Sequence, residues 1–436
     1  MLAPVSGTGR AGQARAVVGG VLVAVAVVVL ACAAGGALMR ALGQPAVVGE
    51  IGVGILLGPS ALGRAWPEGQ AWLLPGDVLP RLGTLGDLGL ILFMFLVGLE
   101  LELGLLRGLG RTVLVVSQAG VWLPLACGGL LALGMYGTFA PEGVGRAEFV
   151  LFVAVALSVT AFPVLARILT EEGLHGSPVG ALALACAAVV DVVAWSLLAV
   201  AVAVAGGGGA LGGAGRAALA AVFVAVMWWG VRPLLARAAR RRPPGRDDRA
   251  PGPVLVGLFG GTCLAAWATD GLGVHALFGA FVFGAVVPRG VEAVERAGER
   301  MREFAVPVLL PLFFVGSGLR TDVGTLSGSG WLWAGAILVV AVASKGGGAT
   351  VGALLSGRDR REAVLLGALM NCRGVTELVV LNVGLGLGLI GVELFTALVL
   401  MALVTTGVTG PVVRVLRRRG EARPGATMGA EDLGRR

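Results

Sequence analysis

The sequence is short of charge. Asp, Glu, Lys and Arg make up 14% of its 436 residues, whereas a soluble domain carries roughly 25%, so there is too little polar side chain to cover a water-facing globule. Lysine is nearly missing: of 34 basic residues, all but Lys345 are arginine. The five cysteines, Cys32, Cys127, Cys186, Cys263 and Cys372, fall in apolar stretches without metal-ligand or redox spacing and read as small packing residues. No GxSxG elbow, HExxH pair or GxxxxGK[ST] loop occurs, which leaves hydrolase, zinc-protease and ATP-driven chemistry without support. The chain is expected not to be an enzyme and to need no cofactor.

Apolar side chains fill the space left by charge, at 56% of residues. They recur in stretches of about 18 to 25 residues, the length that spans a bilayer as helix. Thirteen such segments run roughly over 16–39, 45–63, 84–103, 112–137, 147–169, 177–205, 215–238, 253–270, 272–288, 304–319, 331–355, 361–390 and 393–415. The fold class expected is therefore an all-α polytopic membrane protein. Many of the 74 glycines lie inside these segments, as in bundles whose backbones approach closely. The first segment fits either a retained helix or a signal peptide, since Arg10 and Arg15 precede it and small residues end it. Most arginines fall in one set of alternate loops, 232–252, 289–303, 357–361 and the C-terminal end. That bias places the C-terminus in the cytoplasm and, with thirteen spans, the N-terminus outside. The cluster Arg237 to Arg249 is accordingly a topogenic loop, and no nucleic-acid partner is expected.

The two halves echo each other. Residues 92–102 read LFMFLVGLELE and 312–322 read LFFVGSGLRTD; more weakly, Gly49, Gly54 and Pro59 match Gly279, Gly284 and Pro288. Each pair lies seven segments apart, an odd number, so its members run in opposite directions. Six helices, a linker and six more then form an inverted repeat, an architecture used by secondary transporters.

Charges inside the apolar segments need a partner or a purpose. Asp191 lies mid-segment in ACAAVVDVVAWSLL; a carboxylate there can be held by a proton or by a cation, the minimal part for exchanging one for the other. Lys345, in VVAVASKGGGATVG, can lose its proton when buried, whereas arginine effectively cannot, which makes it a candidate proton carrier or switchable counterion. Arg373 and Glu377 in NCRGVTELVVLN are spaced i, i+4 for an intrahelical pair, and Gly374 suggests a broken helix lining a cavity. A matching break is expected in SVTAFPVLAR, where Pro163 frees a carbonyl near Ser158 and Thr160. Two interrupted helices, one per half, point to a midplane binding site with Asp191, Thr160 and Ser158 as cation and proton ligands. Glu50 and His275, set among glycines, read as structural.

At these residues the sequence resembles the Kef/CHX-like branch of the monovalent cation/proton antiporters. The stretches carrying the resemblance are Pro45 to Ser60, His275 to Pro288, Leu309 to Asp322 and Asn371 to Asn382, with SVTAFPVLAR and DVVAW, over about residues 16 to 415. It implies a thirteen-helix antiporter fold with two broken, crossing helices, and a homodimer that exchanges Na⁺ or K⁺ for H⁺ across the plasma (inner) membrane. Dimerisation helices are expected at about 16–103 and 253–319, core helices at 112–205 and 331–415, and a linker at 215–238, with a tail before residue 16 and another over 416–436. Asp191 matches the family's ion-binding aspartate, which would hold a monovalent cation only. Lys345 looks like the core lysine of electrogenic members, and Arg373 and Glu377 match the polar pair on the second broken helix. Val190 departs from the pattern, because related chains commonly carry Asp or Asn before the aspartate. A Kef-like potassium efflux pathway, or transport of another solute on the same scaffold, are the alternatives.

Overall fold

The computed structural model describes residues 10–100, 110–174, 177–205, 209–240, 252–272 and 275–421. These residues form helices and connecting turns only. The first half comprises α1 (Arg10–Ala41), α2 (Ala46–Leu57), α3 (Leu79–Glu100), α4 (Arg111–Phe139), α5 (Arg146–Ser158), α6 (Phe162–Glu171) and α7 (Pro178–Ala205), with two short helices, Leu62–Ala65 and Pro67–Leu73, between α2 and α3. Then α8 (Gly209–Ala225) runs through a π-helical turn into a last segment, Arg232–Arg240. The second half comprises α9 (Gly252–Gly271), α10 (Ala276–Val286), α11 (Glu292–Phe304), α12 (Leu310–Leu319), α13 (Gly328–Leu355), α14 (Arg360–Met370), α15 (Val375–Gly386) and α16 (Val392–Glu421). Ten helical stretches among the described residues are long and apolar enough to cross a membrane, three of them adjoining elements run together: Ala46–Ala65, Ala218–Ala238 and Glu292–Thr325, in which a π-helical turn, Ala305–Leu309, joins α11 to α12. The three remaining apolar segments of the sequence are the short α10 and the two interrupted pairs, α5 with α6 and α14 with α15.

The connections sort into two faces as the alternation of loops requires. On one, Glu100 pairs with Arg302, Glu172 with Arg414, and Arg361 reaches the Arg417 carbonyl. On the other, Arg64 pairs with Asp322, the Ser60 hydroxyl bonds the Thr321 carbonyl, and Glu393 accepts from Ser327. The arginine-rich turn at 357–361 belongs to the first face; residues 241–251 of the basic cluster lie outside the described residues.

Close backbone approaches follow the internal repeat. A Cβ on Gly54 of α2 would sit 2.7 Å from the Val315 carbonyl oxygen, and one on Gly318 of α12 would sit 2.6 Å from Gly54 Cα. In the other half, a Cβ on Gly284 of α10 would collide with the Phe95 carbonyl, and one on Gly98 of α3 with the Phe281 carbonyl. Since Gly54 echoes Gly284 and Gly98 echoes Gly318, the α2–α12 and α10–α3 seams are the same contact made twice. A third pair conforms: Gly49 meets the Gly35 backbone of α1, and its counterpart Gly279 meets the Ala265 backbone of α9.

Three boundaries differ from the sequence reading. The stretch 289–303, expected as a loop, contains α11, whose Val294, Ala297, Gly298 and Met301 are buried while its charged residues face outward; this i, i+3, i+4, i+7 stripe marks an amphipathic surface helix. The N-terminal tail is helical from Arg10, and α16 continues past the expected end to Glu421.

Candidate ion-binding site

Helix α5 stops at Ser158, Val159 to Ala161 are non-helical, and α6 starts at Phe162. Pro163 is compatible with the first turn of a helix but not with a continuous α5–α6 ladder. In the second half α14 ends at Met370 and α15 starts at Val375. Gly374 in that gap passes so close to α6 that a Cβ there would lie 2.7 Å from Val164 Cγ2. The two gaps are bonded to each other. The Ala161 N–H donates to the Cys372 carbonyl at 3.2 Å, and Thr160 Oγ1 donates to the Met370 carbonyl at 3.5 Å. The broken helices therefore cross, as expected.

Breaking a helix leaves orphan carbonyls at one end and orphan amides at the other. The carbonyl end of α5 is met by cations from the opposite half. Arg373 donates to the Leu157 carbonyl at 2.7 Å and the Ala156 carbonyl at 3.5 Å, and Lys345 of α13 donates to the Ser158 carbonyl. Positive charge at a helix C-terminus is favourable. Arg373 also pairs with Glu377 at 2.9 Å, and both side chains are fully buried. At the amide end of α6 the charge is reversed: Asp191 of α7 lies by the Phe162 N–H. Asp191 is 3% exposed, and its Oδ1 has no hydrogen-bond partner. Lys345 acts electrostatically on Asp191 as well as on Arg373 and Glu377.

The structure thus gathers Asp191, Thr160, Ser158, Lys345, Arg373 and Glu377 at one crossing. The hydroxyl protons of the two hydroxyl residues are committed, Thr160 to the crossing and Ser158 to Val155 of its own helix at 2.8 Å. What Ser158 brings to the centre is its carbonyl. Val190 is fully buried and apolar, so no acid precedes Asp191 there. His275 caps α10 by accepting from the Leu277 N–H at 3.4 Å, and the exposed Asp270 lies beside it, away from the crossing. Sequence reasoning gave Trp195 no role: one turn beyond Asp191, its ring stacks on Phe281 of α10 with centroids 6.5 Å apart, and its buried Nε1 lacks a partner. The signal was present in the i, i+4 spacing of DVVAW.

Inverted halves, each with a helix broken at the centre, and oppositely charged side chains at the two ends of the α5–α6 break, make the architecture that secondary transporters use. Residues 24–418 match the family model described as "Sodium/hydrogen exchanger, transmembrane". The chain is 41% identical over 390 residues to Cation/H(+) antiporter 20 of Arabidopsis thaliana, covering 87% of this chain and 46% of that protein. It is 38% identical over 381 residues to the Na(+)/H(+) antiporter NhaS4 of Synechocystis, covering 87% and 92%. It is 34% identical over 391 residues to K(+)/H(+) antiporter 1 of Saccharomyces cerevisiae, covering 86% and 43%. The chain thus spans about half the length of the plant and yeast relatives. The solved structure of the sodium proton antiporter MjNhaP1 from Methanocaldococcus jannaschii shares the fold, with a TM-score of 0.60, 14% identity and coverage of 94% and 98%. The chain belongs to the sodium/hydrogen exchanger family. It is a multi-pass membrane protein of that family.

Proposed function

We propose that the chain exchanges a monovalent cation, Na⁺ or K⁺, for a proton by alternating access, with Asp191 as the shared site. The observation that carries this reading is the buried Asp191 carboxylate, with an oxygen left unpartnered between the amide end of α6 and Lys345. An unpaired buried carboxylate is costly, so it is occupied by either a proton or a cation, and occupancy by one excludes the other. The relatives named for Na⁺/H⁺ and K⁺/H⁺ exchange support the substrate class. Thr160 Oγ1 and the Ser158 carbonyl supply further oxygen ligands, while Lys345, Arg373 and Glu377 balance charge around them.

Two bodies move against each other in this reading. Helices α4 to α7 and α13 to α16 form the core that carries Asp191, α1 to α3 and α9 to α12 form the dimerisation body, and α8 links them. The glycine-to-backbone approaches of Gly49, Gly54, Gly98, Gly279, Gly284 and Gly318 all fall within the second body, and those of Gly348 and Gly352 on the α4 backbone fall within the first. A homodimer in the plasma (inner) membrane, N-terminus outside and C-terminus cytoplasmic, completes the proposal; the arginine bias supports the orientation.

The test is a proteoliposome flux assay with a pH-sensitive dye, offering Na⁺, K⁺ and Li⁺ in turn to the native chain and to Asp191→Asn. The native chain moves protons when Na⁺ or K⁺ is added, and the cation concentration for half-maximal rate rises as pH falls because the proton competes. Asp191→Asn abolishes the signal while the protein inserts and purifies normally. A native-like signal from Asp191→Asn overturns the assignment, and cation flux that persists without proton movement points to an efflux pathway instead.

A further inference from the structure

A cavity of about 230 Å³ opens on the face that carries Arg64 and Asp322. Its polar lining is Asp87 of α3, His275, Ser317 and Arg320 from the end of α12, and Asn382 of α15. Asn382 crosses the boundary between the two proposed bodies. Its Nδ2 donates to Ser317 Oγ at 2.7 Å and to the Leu378 carbonyl of its own helix at 2.9 Å, while its Oδ1 accepts from Arg320 at 3.5 Å. Nearby, the Asp322 N–H donates to Thr396 Oγ1 of α16 at 3.2 Å. The end of α12 is therefore fastened to two core helices beside the cavity, and Ser317, itself only 1% exposed, takes its bond from Asn382 away from bulk water.

The internal repeat makes this fastening one-sided. With Gly98 standing for Gly318, the counterpart of Ser317 in the first half is Val97, which has no hydroxyl. A mirrored arrangement, with the core displaced toward the opposite face, would find valine where the present one finds serine. We propose that Asn382 is a positioning residue for transport: bonded to Ser317 and Arg320, it holds the core in the arrangement that keeps this cavity open, and releases when the core moves. This rests on the alternating-access reading but concerns only which mouth is open.

The experiment reads opening without transport. In a background lacking the five native cysteines, a single cysteine replaces Gly83, which lines the cavity and has nothing within 4 Å of a Cβ, or Gln44, at the α2–α16 boundary beside Gly407 on the opposite face. Maleimide labelling rates are measured for each in detergent, and the rate ratio, Gly83 position over Gln44 position, is compared among variants. Asn382→Leu and Ser317→Ala each lower the ratio about three- to tenfold, the population shift expected from losing one hydrogen bond. The double variant goes no further than the larger single effect, because both remove the same interaction. An unchanged or raised ratio in Ser317→Ala, or additive effects, overturns the proposal. Ser317→Ala alone decides if Asn382→Leu fails to fold. Loss of the exchange reading through Asp191→Asn leaves this ratio untouched, so the two ideas fail separately.

Discussion

Lys345 places its ammonium on the carbonyl of Ser158, the last residue of α5, and not on a carboxylate. The sole lysine of the chain thereby completes the cap on a broken helix that Arg373 begins at Ala156 and Leu157. Lys345→Met leaves that carbonyl buried without a donor and costs about 1–3 kcal/mol. Lys345→Gln restores an N–H donor and recovers part of the loss. Thermal unfolding in detergent ranks the three; a Lys345→Met chain as stable as the native one removes the capping role.

The absence of an acid at Val190 bears on stoichiometry. If Asp191 alone trades one proton for one cation, no net charge crosses the membrane and the transport rate is nearly indifferent to voltage, whereas each net charge would couple by about 2.3 kcal/mol per 100 mV. Clamping liposome voltage with potassium and valinomycin during Na⁺/H⁺ exchange checks this, and a steep voltage dependence contradicts it. Val190→Asp supplies the missing acid next to Asp191 and is expected to increase voltage dependence.

Arg373 and Glu377 form a fully buried pair, so removing one partner is worse than removing both. Arg373→Met strands the Glu377 carboxylate and costs about 3–5 kcal/mol. Adding Glu377→Gln recovers part of this, though not all, because the Ala156 and Leu157 carbonyls stay uncapped. Equal unfolding temperatures for the single and double variants would show that the charge pairing contributes nothing.

The repeated seams predict matched sensitivities. Gly98→Ala and Gly318→Ala each force a methyl into the backbone of a facing helix and cost about 1–3 kcal/mol or more, whereas Gly83→Ala, with open space around it, is nearly neutral. Unfolding temperatures of the three variants test the pattern, and a Gly318→Ala variant as stable as Gly83→Ala breaks the symmetry argument.

Sidedness is checked with two exposed positions on opposite faces. A cysteine replacing Arg360 is protected from an impermeant thiol reagent applied to intact cells, and one replacing Trp66 is labelled. The reverse pattern inverts the proposed orientation while leaving the fold intact.

Much of the architecture was legible because membrane helices advertise their length and their interruptions. Pro163 and Gly374 located both breaks, and the LF…GL echo showed the inverted repeat, though not that its glycines form the seams. The capping was not legible. The i, i+4 spacing of Arg373 and Glu377 suggested a pair confined to one helix, yet the same guanidinium bonds carbonyls on a helix in the other half. Spacing along one helix reports neighbours on its surface and carries no information about which foreign backbone end lies opposite. The surface helix α11 was missed for a related reason, since its many charges masked a four-residue apolar stripe.

The glycine seams have a mechanical consequence. Where two helices touch through backbone atoms, no rotamer can swing aside to absorb a displacement, so sliding one past the other means distorting peptide geometry itself. Helices α2, α3, α10 and α12 are locked in this way through Gly54, Gly98, Gly284 and Gly318. Between the two proposed bodies the contacts are made by side chains instead, such as the Trp195–Phe281 stack and the Asn382–Ser317 bond. Compliance is therefore distributed unevenly: stiff joints inside the frame, soft joints along one surface, and any thermal or applied strain is taken up along that surface first.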